Sequence, residues 1–415
     1  MGSTLSTFDA LLKEYYKPNI VEQLVFPNNV LLGMLEKTGD TKMAGDSMPV
    51  PVIYGNPAGG GGYTFSTAQT NASNTRSAKF VVEPGSWHAV VEIGDKAIEA
   101  SRSNVGAFLE NKKAEIDGLH VMAGDQLSKY LWGNGGQSLG RVGAVSTTLL
   151  TLETASDIAN FERDMVLVAS ANDGSDTSHT LLSGSELITG IDRGSGTLTA
   201  VDWTTISSIA AGSYLFRQSD FFGDQGSVVI KGVEAWVTAT NTPPTLWSVT
   251  AATRLTDLQR LSGCRVPESD IAGLPLDERI MKLLAYMQGR FKVASMPNAG
   301  FLHPEDFQTL VTLMAAREVR PADDENTKFG YTKIDVWTPA GKLPIYTDRH
   351  CPRGQFFALN LKDWWIGSFG EFLHPQATDG MQMLRRDAST DVEFRLISYP
   401  ALACKVPGNQ GRVPL

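Results

Sequence analysis

The stretch that most constrains this chain is Asp95–Trp132, DKAIEASRSNVGAFLENKKAEIDGLHVMAGDQLSKYLW, which reads as one long amphipathic helix. Ile98, Val105, Phe108, Leu109, Ile116, Leu119, Ala123, Leu127 and Leu131 recur mostly at spacings of three, four and seven, so they fall on one stripe. Glu99, Arg102, Glu110, Lys112, Lys113 and Glu115 take the other face. Asp95 after Gly94 is an N-cap residue type, and Gly133-Asn134-Gly135-Gly136 ends the helix with residues that tolerate positive φ. At 1.5 Å per residue such a helix is about 55 Å long, well past the usual three or four turns. Gly106, Gly118 and Gly124 inside it each cost roughly 1 kcal/mol against alanine. The helix therefore needs packing from the rest of the chain or from a neighbour, or a close approach at those glycines.

Ahead of it, residues 4–36 carry short amphipathic helical pieces broken at Pro18 and Pro27. They hold too little apolar surface for a core of their own, and residues 1–46 are read as an arm. Residues 47–94 are read as an extended β-hairpin. Pro49 and Pro51 in SMPVPVIYG suit an edge strand, and the return strand AKFVVEPGSWHAVVEIG is kinked at Pro84-Gly85. Between them runs a long loop, without structure of its own, of Gly59–Gly62 and a Ser/Thr/Asn tract. No Lys-Ser/Thr follows those glycines, so they do not read as a phosphate cradle.

Behind the helix the texture changes. Residues 135–225 contain no lysine, are rich in Ser, Thr and Gly, and alternate short strands with turns at Asn172-Asp173-Gly174 and Arg193-Gly194-Ser195-Gly196. They read as a small antiparallel barrel or β-domain inserted in the host fold. Asp173, Asp176 and Asp192 lack the EF-hand pattern and read as turn carboxylates, not calcium ligands. Mixed structure follows over residues 226–320, with a helix that starts at Leu274-Pro275-Leu276-Asp277, runs through Met287 and buries Ile280, Leu283, Leu284 and Met287, then a strand, a His303-Pro304 turn and another helix. Residues 331–404 are strand-rich, and PGNQGRVPL closes the chain as a polar tail. The fold class is α+β.

Composition bounds the rest. A chain of 415 residues holds two or three cores, and a net charge of −9 gives no basic footprint for tight binding to nucleic acid. Cys264, Cys351 and Cys404 are far apart, without a CxxC spacing, so neither a disulfide framework nor a zinc knuckle is expected. No apolar run is long enough for a membrane span, no signal peptide is evident, and synthesis in the cytoplasm is expected. P-loop, HExxH and helix-opening GxGxxG patterns are absent. The nearest thing to a nucleophile with its base is Asp348, His350 and Cys351, but Pro352 follows and adjacent strand residues face opposite ways, so a turn with a structural cysteine is expected. No catalytic, cofactor-binding or metal site is assigned, and the chain is not read as an enzyme.

The order of these pieces resembles the major capsid proteins of tailed double-stranded DNA phages, the HK97-like family. The succession of hairpin and long helix over 47–132 carries the resemblance, as do Gly300-Phe301-Leu302-His303-Pro304-Glu305-Asp306-Phe307 and Gly341-Lys342-Leu343-Pro344-Ile345-Tyr346 with Cys351-Pro352-Arg353-Gly354 and Asp363-Trp364. Leu402–Pro407 looks like the closing strand. The resemblance implies an N-terminal arm (1–46), an E-loop hairpin (47–94) and a spine helix (95–134) in a P domain. The inserted β-domain (135–225) comes next, then a P-domain continuation (226–270), an A domain (271–375), and return strands to the P domain with a C-terminal tail (376–415). It implies hexamers and pentamers in an icosahedral virion shell around packaged double-stranded DNA, made in the host bacterial cytoplasm, with a portal and a scaffolding protein as partners.

Two departures bear on that expectation. Residues 55–78, the proposed hairpin tip, contain no lysine, so the family prototype's lysine–asparagine isopeptide is not expected. Residues 1–46 leave no room for a fused scaffold, so a separate one is expected. The 135–225 segment reads either as a surface decoration that stiffens the capsomer or as a docking site for a cement protein or host glycan. The rival readings are an encapsulin-like compartment shell, which shares the fold, and a phage tail or adhesin β-protein, against which no fixed repeat is seen.

Overall fold

The long helix covers Val105–Trp132 in a computed structural model that describes residues 29–38, 45–62, 64–94, 105–175, 180–221, 229–317, 334–338, 341–377, 383–385 and 392–415. The expected arm up to residue 28, the expected cap Asp95, Asp176 and residues 318–333 lie outside the described residues. Ile116, Leu119, Ala123, Leu127 and Leu131 are buried on the predicted stripe. The last four turns depart from a one-sided pattern, because His120, Gln126, Ser128, Tyr130 and Trp132 are buried too. Polar residues on the far side mark where a second layer covers the helix: Gln126 Oε1 accepts from Trp87 Nε1 at 3.1 Å, and Tyr130 donates its hydroxyl to Asp220. Gly118 faces open space, so no neighbour approaches closely there.

In chain order the strands are β1 (Glu36–Thr38), β2 (Met48–Gly55), β3 (Arg76–Val82), β4 (Trp87–Ile93), β5 (Gly140–Val145), β6 (Leu149–Leu152), β7 (Val166–Ser170), β8 (Glu186–Asp192), β9 (Thr197–Ala200), β10 (Tyr214–Arg217), β11 (Cys264–Arg265), β12 (Ala299–Leu302), β13 (Ile334–Thr338), β14 (Gly341–Thr347), β15 (Gln355–Leu359), β16 (Trp364–Ser368), β17 (His374–Pro375), β18 (Met383–Arg385), β19 (Val392–Ser398), β20 (Pro400–Cys404) and β21 (Gly411–Pro414). β2 and β3 pair antiparallel, with Pro49 opposite Val81 and Pro51 opposite Lys79. The return strand does not continue through the kink. It ends at Val82, and β4 leaves the hairpin to pair with β19 over Trp87–Ile93. Pro84 has no N–H to give a ladder, and the Gly85 N–H goes instead to the Pro400 carbonyl. The expected structureless tip also carries a helix, Phe65–Thr70, capped by Thr64.

β5–β10 close a six-stranded barrel in the order β10-β5-β6-β9-β8-β7, with its own core of Leu150, Leu167, Ile188, Leu198, Trp203 and Leu215 among others. The β8–β9 turn is the predicted Arg193–Gly196, held by Asp192, whose carboxylate accepts from Gly194 N and from the Ser195 hydroxyl. Asn172–Gly174 folds back on the end of the long helix. There the carbonyl of Asp173 lies where a Cβ on Gly136 would stand, at 1.9 Å, so only glycine fits.

The largest open sheet has six strands, β11-β21-β15-β12-β14-β13. Its strand β15 is buried on both faces, which explains the apolar run FFAL. Phe356 and Ala358 face a core with Ile280, Leu283, Leu284 and Met287 of the Leu276–Gly289 helix, while Phe357 and Leu359 face the core of the long helix. Trp132 meets the rings of Phe301 and Phe357 at 5.5 and 5.2 Å. The expected polar tail is a correction: PGNQGRVPL forms a tight turn and β21, which lies between β11 and β15 in this sheet and is almost wholly buried. Its polar groups are satisfied internally. Asn409 donates to Asp363 at 2.8 Å, and Gln410 accepts from Asn360 N at 2.8 Å. Gly411 lets the helix close on the strand, since a Cβ there would meet Met287 Sδ at 2.6 Å.

Candidate assembly surface

The cluster nearest to a catalytic group is an anchor in this structure. Asp348 accepts from His350 N at 2.9 Å with one oxygen and from Leu31 N at 3.1 Å with the other, tying the N-terminal segment to the end of β14. His350 accepts from Arg349 Nε at 3.2 Å, and Arg349 in turn pairs with Asp125 on the long helix. Burial, then the charges of Arg349, Lys129 and His303, press the His350 imidazole down to about 3, so it is neutral. Burial pushes the Cys351 thiol well above its ordinary range, and its contact is with the Pro352 carbonyl at 4.0 Å. A thiolate mechanism needs a histidine hydrogen-bonded to the sulfur and a depressed thiol pKa; here both conditions are reversed. Cys264 and Cys404 are likewise buried, with thiol pKa values raised by burial.

Asp173 accepts from Asn134 Nδ2 at 2.7 Å and from Ser175 N at 3.0 Å, and Asp192 holds its own turn, so both act as turn carboxylates. Among the described residues no three His, Cys, Asp or Glu side chains gather as metal ligands, and no helix is long and apolar enough to cross a membrane.

Among the described residues, three places carry exposed apolar groups that bear on assembly. The hairpin is anchored at its base, where Met48, Val50, Val52, Phe80 and Val82 enter the main core and Phe80 packs on Trp236 at 4.9 Å. Arg260 donates to the Tyr54 carbonyl at 2.8 Å, and Ser248 bonds Lys79 O and Val81 N, which sets the hairpin's direction. Beyond Tyr54 it projects, and Phe65 on the tip helix is 81% exposed. β13 forms one edge of the six-stranded sheet and carries Trp337, 74% exposed, beside Lys342. The outer wall of the barrel shows Leu149, Leu187 and Val201 on neighbouring strands or just past their ends. The hairpin and the β-segment are read from sequence as projecting elements, but none of these exposed side chains is singled out there. Trp337 was the most findable, since alternation in IDVWT sends Ile334 inward and the tryptophan outward.

No protein-family model matches the sequence, and no curated protein matches it either. Solved structures do resemble it. A chain of the cyanophage A-1(L) capsid asymmetric unit aligns over 93% of this chain and 92% of its own, with a TM-score of 0.52 at 11% identity. A Mycobacterium phage Bobi chain aligns over 100% of this chain and 99% of its own, with a TM-score of 0.41 at 10% identity. The holo-SrpI encapsulin complex from Synechococcus elongatus gives 0.38 at 9% identity over 94% of this chain and 88% of its own. The fold is thus similar to that of a phage capsid chain across nearly the whole length of both.

Proposed function

We propose that this chain is a major capsid protein of the HK97-like type, the wall subunit of a tailed double-stranded DNA phage. The observation that carries this reading is the near full-length fold likeness to the cyanophage capsid chain. The projecting hairpin supports it: a base locked into the core with an exposed phenylalanine at its tip is a lever for contact with a neighbouring copy. In this reading the 47–94 region is the E-loop, with β4 already returned to the P domain. The long helix is the spine, residues 271–375 with most of the six-stranded sheet and its two helices are the A domain, and the barrel is an insertion.

Hexamers and pentamers close into an icosahedral shell, and symmetric repetition of the same contacts replaces any single strong site. The role is non-enzymatic. The shell belongs to the virion, is built in the host bacterial cytoplasm, encloses packaged double-stranded DNA, and works with a portal, a separate scaffolding protein and in some cases a cement protein on the barrel. The acidic balance of the chain suits a wall that lies near DNA without gripping it.

Negative-stain microscopy of the purified chain, with light scattering alongside, is the test. Rings, tubes or closed shells are expected. A monomer or trimer that persists at high concentration, with and without the scaffolding protein, would sink the reading. Shells filled with a protein cargo and free of nucleic acid would move it to an encapsulin-like compartment.

A further inference from the structure

β11 and β21 run parallel, and their register sets Arg265 beside Arg412. Like charges directly opposite each other on paired strands are destabilising, so the pair needs an offsetting group. Arg412 has one. Its Nη2 lies 2.7 Å from Glu234 Oε1, and its Nε donates to Gln355 Oε1 at 3.1 Å. Arg265 has no carboxylate among the described residues. Its Nη1 donates to the carbonyl and the hydroxyl of Thr238, each at 2.6 Å, and its Nη2 to Asn241 Oδ1 at 3.1 Å. A third guanidinium, Arg254, is fully buried nearby and donates to the backbone carbonyls of Pro244, Ala235 and Trp236. Of the three guanidiniums, Arg412 is the one paired with a carboxylate among the described residues, that of Glu234. Burial, then the charge of Arg412, draws Arg265 down to about 10.

Arg265 and Arg412 both line a cavity of about 660 Å³, within the usual size of a small-ligand pocket. Arg290 lines it too but is committed to Asp270 at 3.4 Å, and Glu268 sits exposed in the same lining. Leu258 and Phe291 supply apolar wall.

We propose that this cavity is an anion site for free phosphate or the phosphate of a small phosphorylated molecule, held by Arg265 and Arg412. The planar guanidinium fork matches phosphate oxygens, and a bound anion supplies the counter-charge that Arg265 lacks. Arg412 is only 6% exposed, so a compact ligand reaches it more readily than the backbone of a duplex. The site stands independently of the shell role.

The test is thermal unfolding of the full-length chain in inorganic phosphate, in a deoxynucleoside monophosphate, in a short DNA duplex, and in chloride at matched ionic strength. The expected result is a saturable rise in midpoint with phosphate over chloride. An equal rise with the monophosphate identifies free phosphate as sufficient, and a larger one identifies a phosphorylated small molecule. Arg265→Gln removes one like charge and is expected to lose about tenfold in phosphate affinity, the scale of a charge-assisted hydrogen bond. A phosphate response no greater than that in chloride, an unchanged response in Arg265→Gln, or a rise with the duplex alone overturns the proposal. If the variant fails to fold, the unmodified protein with phosphate decides by cryo-electron microscopy or crystallography: density between Arg265 and Arg412 supports the site, and its absence there refutes it.

Discussion

At the residue scale, His350 sits where a buried base controls acid stability. Its ordinary pKa is 6.5, and burial with the nearby charges of Arg349, Lys129 and His303 lowers it to about 3 in the folded chain. The unfolded chain takes up the proton first. The contribution to stability is therefore complete above about pH 6.5 and is lost as pH falls towards 3, with a slope approaching about 1.4 kcal/mol per pH unit. Asp125, 4.0 Å away, acts in the opposite sense: desolvation raises its carboxyl in the folded chain, so acid relieves part of its cost. Denaturant unfolding of the parent and of His350→Gln between pH 7 and 4.5 should show the parent losing more stability over that range. Parallel losses would remove His350 as the responsible group. The turn character of this cluster was legible from Pro352 and from the adjacency of His350 and Cys351. Its task of holding Leu31, 317 residues earlier in the chain, was not, because a hydrogen bond to a distant backbone N–H leaves no local pattern.

At the element scale, the hairpin shows what strand-forming residues decide and what they leave open. Alternation in MPVPV and KFVV predicts two strands with one buried face, and Met48, Val50, Val52, Phe80 and Val82 are buried. Pro84-Gly85 predicts an interruption. Whether the chain bends and continues or changes sheet depends on β19, which offers β4 seven residues of ladder. The tip helix was missed because Thr64 caps a segment with no apolar periodicity to announce it. Phe65 at its start is the exposed ring that a neighbouring copy would cover, worth about 1.5–3 kcal/mol per contact when buried. Phe65→Ala is thus expected to leave the melting temperature of the unassembled subunit unchanged and to raise the concentration needed for assembly in light scattering. Unaltered assembly would remove the tip from the contact.

At the scale of the whole molecule, the proposed shell would have to be reinforced without a lysine at the hairpin tip. Lys79, the nearest lysine on the return strand, lies in β3 opposite Pro51, next to the base that Ser248 pins. Denaturing gels and mass spectrometry of assembled, heat-treated particles should show the monomer alone, and a covalent ladder would overturn the noncovalent reading.

The sequence by itself determined the long helix, the hairpin pair, the Ser/Thr/Gly-rich β-segment and the buried side of Leu276–Gly289, because periodicity, turn residues and composition act over neighbouring positions. Only the tertiary structure decided which strands share a sheet, why the end of the long helix is buried on more than its apolar stripe, and that PGNQGRVPL is interior. Polar residues such as Asn409, Gln410 and Arg412 read as solvated until Asp363, Asn360 and Glu234, distant in the chain, arrive to satisfy them. Burial of a polar group depends on its partner, and partners far apart in sequence meet only in the fold.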